Sequence, residues 1–144
     1  MPVRRASAEW TGNLKSGAGK VKLERSKIEA GYSAGSRFDE ADGTNPEELI
    51  GAAHAGCFSM ALADLLEDAG YEPEWIRTTA DVELKKTGEK EFEISRITLK
   101  TEARAPGVDK DAFVEIANKA KEGCPVSKAL KGVEISLEAE PAEG

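Results

Sequence analysis

The sequence predicts an α+β fold, on three observations. A long helix is signed at both ends between residues 46 and 69. Strand-like runs stand in pairs before and after it. The resulting order (strand, strand, helix, strand, strand, helix, helix, strand) does not alternate as a parallel sheet would. At 144 residues the chain is read as a single domain over 1–144, with 1–6 and 141–144 as frayed ends. That length can bury a core without disulfide or metal staples.

Residues 7–32 read as short strands around a Gly-rich turn. Gly12-Asn13 and Gly17-Ala18-Gly19 punctuate, and Val21, Leu23 and Arg25 alternate with Lys22 and Glu24. From Gly31 to Gly43 the chain is rich in Gly, Ser and Asp, which predicts a loop carrying Arg37 and Phe38. The long helix then starts with Asn45 as N-cap, Pro46 as first helical residue and Glu48 as capping-box partner. Glu47 and Glu48 also suit the positive end of the helix dipole, and Gly70 is a stop. The middle is crowded with Gly51, Ala52, Ala53, Ala55, Gly56, Ala61 and Ala63. A helical glycine costs up to about 1 kcal/mol relative to alanine. The pattern therefore predicts close approach by a helix or sheet, and so a central, buried helix.

Ile76, Thr78, Ala80, Val82 and Leu84 alternate as one strand face. A turn at Thr87-Gly88-Glu89-Lys90 leads to Phe92 and Ile94. The alternation slips at Ser95-Arg96 and resumes at Ile97, Leu99, Thr101 and Ala103, which predicts a bulge. Pro106-Gly107 ends the strand. A second helix starts near Asp109, carries Phe113, Val114, Ile116, Ala117 and Ala120, and closes at Gly123. Residues 125–131 predict a short helix, and Val133, Ile135, Leu137 and Ala139 a last strand.

Composition excludes several classes. A net charge of −7 argues against a nucleic-acid partner. His54, Ser59 and Asp64 interrupt the longest apolar stretch, which argues against a membrane span. The segment Met1 to Trp10 has basic residues with no apolar run behind them, so no secretory signal is expected and a cytoplasmic address is the default. A disulfide there would be transient. One histidine and two distant cysteines form no recognised zinc spacing, and Gly17-Ala18-Gly19 lacks the third glycine of a dinucleotide fingerprint.

The chemistry rests on the two cysteines, Cys57 and Cys124, 67 positions apart. Cys57 falls mid-helix, on the face that holds Ala53 and Met60. It reads either as a small packed hydrophobe or as a reactive thiol. A reactive thiol needs a cation, because an unperturbed one is mostly protonated at neutral pH. Arg37 is the candidate, against the alternative of a solvated loop arginine. Glu47 can hold Arg37 by a bidentate pair, or can simply be an N-terminal helix carboxylate. Glu47 and Cys57 lie about 15 Å apart on a straight helix at ~1.5 Å per residue. Either the Arg37 loop reaches along the helix, or the helix breaks, or a second chain supplies the pair. Cys124 precedes Pro125, so backbone N–H groups of a following helix can favour its thiolate, with Ser127 as a further donor; the alternative is a cysteine plugging a corner. His54 stands three residues before Cys57 and reads as a packed histidine or as a dyad partner.

Three segments together resemble the OsmC/Ohr family of thiol-dependent peroxidases: Thr44-Asn45-Pro46-Glu47-Glu48-Leu49-Ile50, Ala52-Ala53-His54-Ala55-Gly56-Cys57-Phe58-Ser59, and Cys124-Pro125-Val126-Ser127. The order of elements agrees from Trp10 to about Leu137. His54 and Val126 resemble the OsmC branch, whereas the organic-hydroperoxide-resistance branch tends to carry tyrosine at both places. Gly56 stands where alanine is familiar. The resemblance implies an OsmC-like fold, with antiparallel sheets packed around a long central helix in an intertwined homodimer. It implies an osmotically inducible, oxidative-stress enzyme without metal or organic cofactor. Cys57 would be the peroxidatic thiolate that becomes a sulfenic acid, and Cys124 the resolving thiol that forms a disulfide with it. Arg37 would lower the Cys57 pKa and polarise the peroxide, and Glu47 would orient Arg37. The partners would be a hydroperoxide and an external thiol or dithiol of lipoyl type, with no nucleic acid and no membrane. Phe58, Met60 and Leu49 suggest preference for organic hydroperoxides over hydrogen peroxide. The competing readings are a non-catalytic dimeric binding module for an apolar ligand and a thiol hydrolase using Cys57 and His54.

Overall fold

In the computed structural model, which describes residues 2–143, the chain divides into two units, one ending at Leu49 and one beginning at Ile50. Met1 and Gly144, the outermost residues of the expected frayed ends, lie outside the described residues.

The first unit holds a three-stranded antiparallel sheet of β1 (Ala6–Thr11), β2 (Ala18–Leu23) and β3 (Ile28–Tyr32). Gly19 pairs with Trp10 on one side and Tyr32 on the other. A Cβ on Gly19 would lie 2.5 Å from the Tyr32 ring and 2.8 Å from the Trp10 ring. Those rings close over it, 5.5 Å apart and tilted by 60°. Gly19 thus makes room for an aromatic pair.

The expected loop from Gly31 to Gly43 is corrected in its first half. β3 runs to Tyr32, and a short helix α1 (Ala34–Phe38) follows. Ser33 caps it: its hydroxyl accepts the Ser36 N–H at 3.1 Å, and the Ser36 hydroxyl accepts the Ser33 N–H at 2.8 Å. This is a capping box with serine where glutamate or glutamine is usual, so the sequence signal was muted.

Helix α2 is continuous over Pro46–Asp68. Asn45 caps it, accepting the Glu48 N–H at 2.7 Å, while the Glu48 carboxylate accepts from the Thr44 hydroxyl at 2.8 Å. The expected reciprocal box is therefore half made. By length and composition α2 could cross a membrane, with a mean hydropathy of 1.5. The interruptions at His54, Ser59 and Asp64 do not lower it enough to exclude that, as the sequence suggested. Its Phe58, Leu62 and Leu66 are instead fully buried in the core of the second unit. Each such side chain contributes roughly 1.5–3 kcal/mol.

Burial covers only one stripe of α2. Ala52, Ala53, Gly56 and Met60 are exposed, and Met60 shows 76% of its surface. A Cβ on Gly51 would lie 3.3 Å from the Ala80 carbonyl oxygen, which is the close approach expected of a small residue. A Cβ on Gly56 would meet nothing within 4 Å. The expectation of close packing along the whole small-residue stretch is corrected accordingly.

The second unit's sheet has the order β4-β5-β6, from β4 (Trp75–Lys86), β5 (Phe92–Arg104) and β6 (Glu134–Pro141). Glu83 pairs with Arg96 and Leu84 with Ile94, so Ser95 is the extra residue of the expected bulge. β5 and β6 run parallel, not antiparallel. The helices α3 (Lys110–Gly123) and α4 (Pro125–Ala129) lie between them in the chain and supply the crossover that a parallel pair needs. The sheet is mixed, which corrects the all-antiparallel expectation. Pro141 pairs with Ala103, and the Ala142 N–H donates to the Ala103 carbonyl at 2.7 Å, so the tail is tied further out than expected.

Phe113, Ala117 and Ala120 of α3 complete the core with Ile97, Leu99 and Ala103 of β5. Asp109 caps α3 by accepting the Ala112 N–H at 2.8 Å. Asp109→Ala is expected to lower stability by ~1 kcal/mol in urea unfolding. An unchanged midpoint would show that the cap contributes nothing.

Candidate active site

Two constellations hold the four sequence-predicted site residues, one in each unit. In the first, Arg37 at the last turn of α1 meets Glu47 in the first turn of α2. Arg37 Nε donates to Glu47 Oε1 at 3.0 Å and to Oε2 at 3.2 Å, and Nη2 donates to Oε1 at 2.6 Å. This side-on fork uses one edge of the guanidinium and leaves Nη1 without a hydrogen bond among the described residues. Phe38 lies under the cation, 5.5 Å from guanidinium carbon to ring centroid. The Glu47 side chain is 9% exposed and that of Arg37 37%.

Local hydrogen bonds fix this clamp. The Ser36 hydroxyl donates to the Thr44 carbonyl at 2.7 Å, and Asn45 Nδ2 donates to the Ser36 carbonyl at 3.0 Å. The Thr44 N–H donates to the Gly31 carbonyl at 2.9 Å. The end of β3, α1 and the start of α2 are thereby stitched together, and Arg37 and Glu47 are held in register.

In the second unit the fold brings the two cysteines together. Cys124 Sγ lies 2.9 Å from Cys57 Sγ, with both thiols free. Cys57 comes from mid-α2 and is half-buried; Cys124 is the N-cap residue of α4 and fully buried. The two thiols are within hydrogen-bond distance, so the ionisation of each depends on the other. Burial pushes the Cys57 thiol up, and the hydrogen bond with Cys124 adds to this, while the Val126 N–H opposes it. Burial also acts to raise Cys124. There the Cys57 hydrogen bond, the Ser127 N–H and hydroxyl and the Val126 N–H outweigh it, and the Cys124 thiol is held below its ordinary value. Within this unit the charge therefore favours Cys124, not Cys57.

His54 is fully buried and does not pair with Cys57. Its Nε2 lies 2.7 Å from the Ser127 hydroxyl oxygen, and its Nδ1 has no hydrogen-bond partner. Burial lowers its pKa, so it is neutral at pH 7. Sequence reasoning named His54 and Ser127 separately and missed the pair, because they are 73 residues apart. The apolar neighbours expected beside the thiol also separate: Phe58 belongs wholly to the core, Leu49 is half-buried and Met60 is exposed. Among the described residues no group of three or more His, Cys, Asp or Glu is placed to hold a metal ion.

Comparison with known proteins gives this arrangement its context. Residues 39–138 match the family described as OsmC-like protein. The chain is 48% identical over 136 residues to peroxiredoxin OsmC of Escherichia coli, covering 94% of each chain. It is 32% identical over 102 residues to the organic hydroperoxide resistance protein OhrB of Bacillus subtilis, covering 67% of this chain and 69% of that one. The crystal structure of that OhrB superimposes with a TM-score of 0.73 at 27% identity, covering 94% of this chain and 98% of the other. With a matched region spanning both cysteines and Glu47, the chain belongs to the OsmC-like protein family.

Proposed function

We propose that this chain is a homodimeric thiol peroxidase that reduces organic hydroperoxides, and hydrogen peroxide more weakly. The enzyme class rests on its peroxiredoxin and hydroperoxide-resistance relatives. The observation that carries the mechanism is the 2.9 Å approach of two free thiols from distant parts of the chain.

In this reading the Cys57 thiolate attacks one peroxide oxygen. The S–O bond forms, the O–O bond breaks, and the alkoxide leaves as the alcohol after taking a proton. Cys57 is then a sulfenic acid. Cys124 attacks that sulfur; the S–S bond forms, the S–O bond breaks, and hydroxide leaves as water. An external dithiol returns both cysteines to thiols and is itself oxidised to a disulfide.

The first step needs negative charge on Cys57, whereas the surroundings of the pair favour Cys124. A cation delivered to Cys57 reverses that preference. Arg37 is the proposed cation, oriented by Glu47 and with Nη1 available to the peroxide. The exposed stripe of Ala52, Ala53, Gly56 and Met60 on α2 supports a dimer in which Arg37 of one protomer serves Cys57 of its partner.

The test is titration of free thiols after one equivalent of cumene hydroperoxide or of hydrogen peroxide. Both thiols are expected to disappear, and faster with cumene hydroperoxide. Two unreacted thiols would refute the peroxidase reading, and equal rates would refute the organic preference.

A further inference from the structure

The buried His54 has no part in the peroxidase cycle as described, yet it stands beside both thiols. It lies three residues before Cys57 on α2, and Ser127 lies three residues after Cys124 in α4. Three residues are close to one helical turn, so His54 and Cys57 share a face of α2. His54 Nε2 and the Ser127 hydroxyl oxygen are 2.7 Å apart, and the two sulfurs are 2.9 Å apart. The contacts thus pair His54 with Ser127 and Cys57 with Cys124. They are two rungs between segments that run in opposite directions.

The second rung matters because α4 is short. Five residues hold no stable helix by themselves, so the place of α4 is set by its contacts. Val126 and Leu130 supply apolar ones against the core. Apolar contact is non-directional and does not fix how α4 is turned, whereas a hydrogen bond does. Among the described residues, the other polar links from α2 to this segment are the Cys124 thiol and the Val126 N–H, and both run to the Cys57 sulfur. In the proposed cycle that sulfur is oxidised, so neither link persists unchanged. The His54–Ser127 bond touches no reacting atom and is available throughout. It is also the one hydrogen bond that offsets burial of the imidazole, since His54 is fully buried and its Nδ1 has no partner. An apolar side chain would fill the same place without an orphaned nitrogen. What the histidine adds is the bond to α4.

We infer that His54 is a positioning residue for disulfide formation: its hydrogen bond to Ser127 braces α4 against α2 and holds Cys124 within reach of Cys57 while Cys57 is oxidised. The inference rests on the reading of Cys57 and Cys124 as a peroxidatic and resolving pair, and its effect falls on the second step. Cys124 gives up its proton and attacks the Cys57 sulfur. The S–S bond forms, the S–O bond breaks, and hydroxide takes that proton to leave as water. Such a step is fast only when the reacting atoms are held close and aligned, which is what the brace supplies.

The experiment replaces peroxide with substoichiometric dithiodipyridine and follows thiopyridone absorbance by stopped flow. Cys57 attacks the reagent, forms a mixed disulfide and releases one thiopyridone. Cys124 then attacks the Cys57 sulfur, closes the disulfide and releases the second. His54→Leu and Ser127→Ala are each expected to slow the second phase by about tenfold while the first keeps its rate. His54→Gln, whose amide nitrogen can reach the Ser127 hydroxyl, and Ser127→Thr, which keeps the hydroxyl, should restore it. An unchanged second phase in folded Ser127→Ala would overturn the inference. So would both phases slowing alike, His54→Gln closing as slowly as His54→Leu, or a parent that releases only one equivalent. If His54→Leu fails to fold, the Ser127→Ala and Ser127→Thr pair decides. No peroxide is present, so a chain that closes its disulfide here but ignores hydroperoxides would lose the peroxidase reading and keep the brace.

Discussion

Cys57→Ser is expected to abolish peroxide turnover, by on the order of 10³-fold or more, because no other group in the pair can accept the peroxide oxygen and then be resolved. Cys124→Ser should behave differently. It should consume one equivalent of hydroperoxide and stop, leaving a sulfenic acid that a carbon nucleophile traps at Cys57 and that excess peroxide carries on to sulfinic acid. The contrast follows from the positions of the two sulfurs. Cys57 is the half-buried member and Cys124 is wholly enclosed, so a peroxide has access only to the former. Quantifying turnover and mass change in both variants checks this. Steady turnover by Cys57→Ser, or a sulfenic acid appearing at Cys124 instead, would reverse the proposed roles.

The second large effect is expected at Arg37. Arg37→Gln should lower kcat/KM by about 10²-fold, which at ~1.4 kcal/mol per tenfold is the order of one lost charge-stabilising contact. Arg37→Lys keeps the charge but cannot reproduce the fork made by Nε and Nη2 on Glu47, so it should recover little. The loss should appear as an upward shift in the pH at which Cys57 becomes reactive. If the arginine merely neutralises the buried Glu47 carboxylate, the variants would lose thermal stability while Cys57 reactivity kept its pH profile.

Much of the local structure was legible because it depends on neighbours in sequence. Asn45-Pro46 and Asp109 announced their helices, and the phase slip at Ser95 announced the bulge. The Arg37–Glu47 pair was within reach for the same reason, since ten residues separate the partners. What could not be read depends on distance along the chain. Nothing in Val133 to Ala139 tells a parallel from an antiparallel neighbour; the alternation is the same in both. The small residues of α2 look alike in sequence, yet Gly51 faces a strand and Gly56 faces open space. The distribution of charge between the cysteines was beyond sequence altogether. It depends on how deeply each sulfur is buried and on which groups the folded chain sets around it, which lower the Cys124 thiol and raise that of Cys57.

The parallel register of β6 also bears on the order of assembly. Cys124 sits at the joint of α3 and α4, in the stretch of chain that must cross over before β6 can pair with β5. Its meeting with Cys57 closes a segment of 67 residues, a contact that contributes nothing until most of the unit is already formed. The encounter of the two sulfurs is thus a late event in folding. A partly folded chain carries two separate, ordinary thiols, and the reactive pair comes into being only once the crossover has docked.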